Sequence, residues 1–382
     1  MSILEHEEDD APAPEPGPEV TPELFRVWRS PRTGAQNPER LTNPVWDWLV
    51  RSRASAYGAS QRFGFGGRPL DDPGWSFARF GQSETRLEDG RVVYIAGEHE
   101  DHYDPDFYIY NDVVIRSPDD RIEIFGYPLD VFPPTDFHSA TLAGDRILII
   151  GNLGYSGKRR PGTTQVVSID LATLSSSLIE THGDPPGWIH GHSATLDTDA
   201  AIVVSRGQVE TGRGPSFDFR ENGDDWRLDL TTLRWERLTE RHWREWQVRR
   251  ADRQSMHLWR VRSLARFRGV EWSPEFRAGM KAMVEQTAGE VRAAYGADAD
   301  LDLFATLFAP NLVHTALPDD PEEHGVHRIH VDGIVVRYVE RMQSVKLVVE
   351  GRLPDEVCFA LVRDLRTKLG ALEHTEYVDT EL

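Results

Sequence analysis

The sequence predicts a mainly β protein: repeated antiparallel strand units, preceded by a helical lead-in and followed by a small α+β domain. Three observations predict it. Residues 71–240 are short β-branched runs punctuated by Gly, Pro and Asp, the pattern of many short strands. Within that stretch the same strand–turn–strand pattern returns three times. Residues 271–382 combine two helix patterns with an Asp332-Gly333 hairpin signal and a further strand run.

Composition narrows the classes. A chain of 382 residues points to two domains with additional segments. Hydrophobic content of 39%, with 11 Trp, excludes whole-chain disorder. Lys+Arg of 43 against Asp+Glu of 63 gives a net charge of −20, a poor field for holding nucleic acid or an anionic membrane. One cysteine, Cys358, excludes an internal disulfide and any multi-cysteine metal site. No apolar run approaches the roughly 18 residues of a membrane span, and the first residues lack the basic and apolar regions of a signal peptide. The expectation is a cytoplasmic protein without a membrane partner.

Residues 1–22 are rich in Glu, Asp, Pro and Ala, and read as a disordered acidic tail. Residues 23–70 form the helical lead-in. Asn43 is placed as an N-cap with Pro44 at the first helical position, and Val45, Trp48 and Leu49 share one face. This helix is expected to cover an edge of the repeat region.

The repeats begin at residue 71. Ser83-Glu84-Thr85-Arg86-Leu87, His138-Ser139-Ala140-Thr141-Leu142 and His192-Ser193-Ala194-Thr195-Leu196 each precede a β-branched run, and their leucines are 55 and 54 residues apart. In the second and third copies an Asp-Leu-x-Thr-Leu element, at Asp170 and Asp229, fits a tight turn whose Asp and Thr side chains bond local amides. A Pro-rich lead-in precedes each copy, as in Pro133-Pro134-Thr135-Asp136. Four strands per unit with fixed turn chemistry is the pattern of a β-propeller blade.

In these residues the chain resembles kelch-repeat proteins. The resemblance rests on the glycine-bearing end of the second strand, the Asn111-Asp112 element and Trp235 in the fourth strand of the last copy. It departs from the kelch pattern where the double glycine is reduced to Ala96-Gly97, Gly151-Asn152 and Ser205-Arg206-Gly207. The resemblance implies propeller blades, and proteins that bind partners or, in a few members, oxidases. Copper-radical oxidases of this kind use a tyrosine–cysteine cross-link in the propeller, and Cys358 lies outside the repeats. Three blades are too few to close a ring. The expectation is a fan capped by the lead-in helix and the later segment; extra blades too divergent to read, or a six-blade ring shared by two chains, are the alternatives.

Residues 241–270 carry the opposite charge. Between 241 and 268 nine Arg meet only Glu245 and Asp252, with Trp243, Trp246, Trp259 and Phe267 interleaved and no Gly or Pro. This reads as a linker helix whose arginines pair with the acidic repeats; it is also the only candidate stretch for nucleic acid. In the last domain Ser273-Pro274 opens a helix expected to end at Gly296, and Pro354 opens another through Leu369, ended by Gly370.

Candidate chemistry is sparse. Glu98-His99-Glu100-Asp101-His102, followed by Asp104 and Asp106, is the densest ligand-type cluster. If a metal binds, His99, Asp101 and Asp104 are its expected ligands. His138 and His192 hold equivalent repeat positions, with His190 nearby. Gly151 to Lys158 imitates a phosphate loop but has the wrong spacing and no following helix. The four histidines at 314, 324, 327 and 330 make no simple ligand set, because His327 and His330 fall on opposite faces of a strand.

No catalytic set emerges and no cofactor is implied. The expected function is a non-enzymatic protein-binding module, monomer or homodimer, with a basic protein as the expected partner. Its expected contacts are Asp101, Tyr103, Tyr108, His138, Tyr155, Trp188, His190 and His192. The alternative is a metal-dependent hydrolase or carbohydrate-processing enzyme using the loop 98–106.

Overall fold

The computed structural model describes residues 20–54, 56–64, 73–99, 107–198, 200–212, 219–258, 306–318 and 325–382, together with Lys281, Glu285, Gln286, Gly289 and Ala293, all five helical. The acidic tail before Val20 and nearly all of the helix expected after Ser273 fall outside these residues. The chain divides into two compact units, Met1–Thr239 and Glu240–Leu382. No described helix is long and apolar enough to cross a membrane.

The first unit opens with three short helices and a strand: α1 (Pro22–Trp28), β1 (Glu39–Arg40), α2 (Pro44–Ser52) and α3 (Ala56–Arg62). Asn43 caps α2 as expected, its side chain accepting the Val45 and Trp46 amides at 3.0 and 3.3 Å. A cap of this kind is worth about 1 kcal/mol.

Next comes the first sheet. Its strands are β2 (Ser83–Arg86), β3 (Val92–Ile95), the short pair β4 (Glu98–His99) and β5 (Tyr108–Ile109), then β6 (Asp112–Arg116) and β7 (Ile122–Gly126). The order β1-β7-β6-β3-β2 makes an antiparallel meander with β1 added at its outer edge, while β4 and β5 pair separately. The second sheet contains β8 (Ser139–Ala143), β9 (Arg146–Ile150), β10 (Val166–Asp170) and β11 (Ser176–Leu178), in meander order.

In the third repeat come β12 (His182–Gly183), β13 (Ile189–His190), β14 (Ser193–Thr198), β15 (Ala201–Ser205), β16 (Gln208–Glu210), β17 (Phe219–Glu221), β18 (Trp226–Asp229) and β19 (Arg234–Arg237). The third sheet is the meander β14-β15-β18-β19 with β12 on its outer edge, and β13, β16 and β17 form a small separate sheet. The predicted Asp-Thr turns are present in full. Asp170 Oδ1 accepts the Ala172 and Thr173 amides and the Thr173 hydroxyl, and Asp229 Oδ1 repeats the set with Thr231 and Thr232.

Alternation along the second strand of each sheet decides the packing. Val93 and Ile95 of the first sheet share a core with Ile147 and Ile149 of the second. Leu148 and Ile150, on the other face of the same strand β9, share a core with Ile202 and Val204 of the third. Tyr94, Val114 and Ile124, on the remaining face of the first sheet, pack under Trp46, Leu49, Val50 and Trp75. The lead-in helices therefore cap a face of the first sheet. The expected covering of an edge is instead made by β1, which pairs with β7.

The ladders also correct the alignment of the repeats. Thr85, Thr141 and Thr195 occupy one register position, as do Ser83, Ser139 and Ser193. Arg86, not Leu87, is thus the counterpart of Leu142 and Leu196; Leu87 matched by residue type alone. The three meanders form no closed propeller.

The second unit is α+β. Its sheet has the order β21-β22-β23-β24-β20-β25, from β20 (Trp243–Arg250), β21 (Thr315–Ala316), β22 (Val326–Val331), β23 (Ile334–Glu340), β24 (Ser344–Glu350) and β25 (Tyr377–Glu381). The helix α4 (Asp355–Glu373) packs Leu361, Leu365 and Leu369 on one face, against Trp246, Val336 and Leu347. The Asp332-Gly333 hairpin joins β22 to β23, both turn residues having positive φ. Gly370 lies inside α4, which ends at His374 in the left-handed region.

The largest correction concerns residues 241–270. The expected linker helix begins as β20, an interior strand between β24 and β25. Trp246 and Val248 alternate into the core while Glu245 and Gln247 point the other way, a period of two that outweighs the absence of Gly and Pro. Its arginines bond acids of the same unit: Arg244 meets Asp355 and Glu381, and Arg250 meets Asp252 and Glu373. The residues from Trp259 to Val270 lie outside the described set.

Candidate functional site

A meander brings certain connections to one end. In each sheet the second strand ends, the third begins, and the lead-in enters the first strand at the same end, here called the loop end. Hydrogen bonds stitch these segments from one repeat to the next. Gly97 N–H donates to Thr135 O, and Thr135 N–H to Tyr110 O. One repeat later Asn152 N–H donates to Ile189 O, while within the third repeat Glu210 N–H donates to Trp188 O. Each lead-in is held by the loops of the sheet before it.

An acidic cluster lies within this seam. Asp136, from the second lead-in, is fully buried. Its Oδ1 accepts the Gly154 amide at 2.6 Å, while its Oδ2 reaches no N–H or hydroxyl donor. The Glu98 carboxyl lies within hydrogen-bonding reach of it, and burial pushes Asp136 above the ordinary carboxylate range, opposed by the Gly154 bond, Glu98 and Arg159. Arg159 donates to Leu153 O at 2.9 Å and pairs with Glu210 at 3.3 Å, with its guanidinium 5.0 Å from the centre of the Phe219 ring. Burial lowers the Arg159 pKa; Glu210, Asp136 and Glu98 act against that.

The expected contact aromatics gather here. Tyr155 accepts the Ile109 amide at 3.0 Å and stands edge-on to Phe107. Tyr108 is half-buried, its phenol pushed up to about 12 by burial. Trp188 is buried and donates from Nε1 to Leu153 O at 3.1 Å. His190 stands edge-on to Phe219. Trp188 therefore serves as a post under the loops rather than as an exposed contact. Asp101, Tyr103 and Asp104 lie outside the described residues.

The remaining histidines are inward-facing. His138 Nε2 lies 2.9 Å from the Ser83 hydroxyl, and His192 Nε2 lies 2.8 Å from that of Ser139. Each histidine thus reaches back to the equivalent serine of the preceding sheet. The distances match a nucleophile–base pair, but the chemistry does not. Ser139 also lies 3.5 Å from Ile150 O, at the limit of hydrogen-bonding distance. Burial also holds His138 down to about 3 and His192 to about 4, too weak for a base at neutral pH.

His99, the expected metal ligand, is buried too. Its Nδ1 is 2.6 Å from the Tyr110 hydroxyl, and its Nε2 has no partner among the described residues. Burial and the nearby Arg79 bring its pKa to about 3. The Arg79 side chain is fully buried, bonded to both oxygens of Asp112 and stacked 3.4 Å over the Tyr110 ring. Among the described residues no three His, Cys, Asp or Glu side chains gather as a metal-binding group. In the second unit His327 bonds Glu340 across the β22–β23 ladder and stacks on Phe308.

Asp136, Arg159 and Glu210 are not singled out by sequence reasoning. Asp136 stands in a Pro-rich lead-in, and Arg159 in a loop that only imitates a phosphate loop. No family model matches this chain, and no curated protein matches it.

Proposed function

We propose that the protein is a non-enzymatic interaction module of kelch-like blades, binding a basic protein segment through the loop end. The carrying observation is the convergence of three successive repeats there, with Glu98, Asp136 and Glu210 around Arg159. Loops on a rigid scaffold are where binding residues concentrate, and half-buried Tyr108 and Tyr155 are the side-chain type that anchors interfaces. A net charge of −20 favours encounter with a cationic partner. The histidines held neutral by burial support binding over acid–base chemistry. A cytoplasmic setting accords with a single, buried cysteine.

The test is calorimetric titration of the full chain with an arginine-rich peptide, with polyglutamate as the control. Binding of the peptide alone is expected, weakening as salt rises and in the variant combining Glu100→Gln, Asp101→Asn, Asp104→Asn and Asp106→Asn. No heat at low salt, or equal binding of polyglutamate, would overturn the reading.

One observation favours a second reading, a metal-dependent hydrolase or carbohydrate-processing enzyme. His99 Nε2 is buried and, among the described residues, unpartnered, immediately before the acidic sequence 100–106. Elemental analysis after purification without chelators decides it: a stoichiometric divalent metal lost in His99→Gln supports that reading, and its absence rejects it.

A further inference from the structure

The first sheet leaves one ladder position open, and a cavity lies beside it. β1 pairs with β7 through Glu39 and Arg40, and Leu41 N–H donates to Ile124 O at 2.8 Å. The same register would set Asn43 opposite Ile122. Asn43 caps α2 instead, its C=O accepts the Asp47 amide, and Pro44 has no N–H to give. The chain therefore turns out of the sheet before it can cover Ile122.

Hydrogen-bonded and non-hydrogen-bonded pairs alternate along an antiparallel ladder. Ser117 N–H bonds Arg121 O, so the next pair, Arg116 and Ile122, is a non-hydrogen-bonded one. The Ile122 N–H and C=O thus point away from β6, into the line of β1. Among the described residues neither group has a partner. Next to them is a cavity of about 300 Å³ whose apolar walls are Leu41, Pro44, Ile122 and Ile124. Leu41 and Ile124 belong to the core under α2, and Ile122 packs against it.

The acids at the rim are already answered. Glu123 pairs with Arg40 at 3.2 Å, and Asp47 with Arg51 at 2.8 Å. An ionic guest finds no unmatched charge there, whereas an aliphatic side chain gains shelter from water beside Leu41 and Ile124. A peptide backbone offers both the acceptor and the donor that Ile122 lacks, as in strand addition to a sheet edge. We propose that the cavity receives one aliphatic side chain of an extended partner peptide, whose backbone exchanges hydrogen bonds with Ile122. The guest residue takes the ladder place that Asn43 vacates, so its side chain falls on the same face as that of Leu41. β7 begins at the end of the sheet opposite the loop end, because its antiparallel neighbour β6 begins at the loop end. The site is separate from the acids around Arg159, and neither needs the other.

Nuclear magnetic resonance of the isotope-labelled full chain tests it, with N-acetyl-leucine methylamide as the probe and N-acetyl-glycine methylamide as the control. The leucine probe is expected to shift the Ile122 and Ile124 amide resonances saturably. The glycine compound, which has the same backbone and no side chain, should bind roughly tenfold more weakly or worse. Ile122→Pro removes the outward N–H without taking a bond from β6, and Thr42→Trp fills the cavity from an exposed position in its lining. Each should weaken the leucine probe by a similar factor, read at the Ile124 amide, and leave the titration with arginine-rich peptide unchanged. No saturable shift, equal binding of the two compounds, or full binding by either variant would overturn the proposal. Should Ile122→Pro fail to fold, Thr42→Trp and the pair of compounds decide alone.

Discussion

The second and third sheets are written in the same repeat code, yet they meet their surroundings differently. In β9 both alternations are apolar: Ile147 and Ile149 face the first sheet, Leu148 and Ile150 the third. In β15 the counterparts of Ile147 and Ile149 are Ile202 and Val204, which join the core with the second sheet. The counterparts of Leu148 and Ile150, however, are Val203 and Ser205, and Arg227 pairs opposite Val203 where Ser168 pairs opposite Leu148. A sheet that continues a stack needs two apolar faces, and one that ends it needs one. The lead-in helices end the stack at the first sheet by covering a face; the third sheet ends it by changing residues.

The sharpest test of that contrast is truncation on an internal and on the terminal face. Ile149→Ala should cost about 2–5 kcal/mol, the usual range for a fully buried isoleucine. Val203→Ala, half-buried on the terminal face, should cost about 1 kcal/mol or less. Denaturant unfolding measures both, and equal losses would mean that the terminal face is packed like an internal one. The converse change, Ser205→Ile with Arg227→Ser, gives the third sheet the forward face of the second. Concentration-dependent self-association by light scattering is expected, because an apolar blade face seeks cover.

Smaller effects probe what the sheets share. His138 and His192 are held neutral by burial, with pKa values of about 3 and 4. An unfolded histidine gains its proton near pH 6.5, so stability is lost as pH falls below that point toward the folded values. His138→Gln and His192→Gln should each flatten the decline between pH of about 7 and 5, read as thermal midpoints; an unchanged slope would deny their neutrality. The smallest effect belongs to the two turns. Hydrogen bonds from Thr173 and Thr232 hold Asp170 and Asp229 below the ordinary carboxylate range, so their contribution is present near neutrality and lost on acidification. Asp170→Ala and Asp229→Ala should lower the midpoint by similar small amounts, and unequal shifts would show that the turns are not interchangeable.

Legibility in the sequence tracks interaction range. The Asp170 and Asp229 turns, the Asn43 cap and the Asp332-Gly333 hairpin are satisfied within a few residues, and each formed as expected. The register of the first repeat did not, because Leu87 resembles Leu142 while ladder bonds place Arg86 there. At the candidate site the aromatics Tyr108 and Tyr155 stood out by residue type. Asp136 and Arg159 did not, since a charged residue in a loop looks the same whether it is solvated or buried against another repeat.

The amino-acid sequence alone determined the strand alternation, the three-fold repetition, the turn chemistry and the excess of negative charge, all of which are local or additive. Tertiary structure decided three further matters: which face of each strand found a partner, that residues 243–250 became an interior strand rather than a helix, and that Arg159 and Glu210 came together. The physical reason is common to all three. Burial and pairing across repeats depend on neighbours far apart in the chain, and low-dielectric contact between two charged groups changes the chemistry of both.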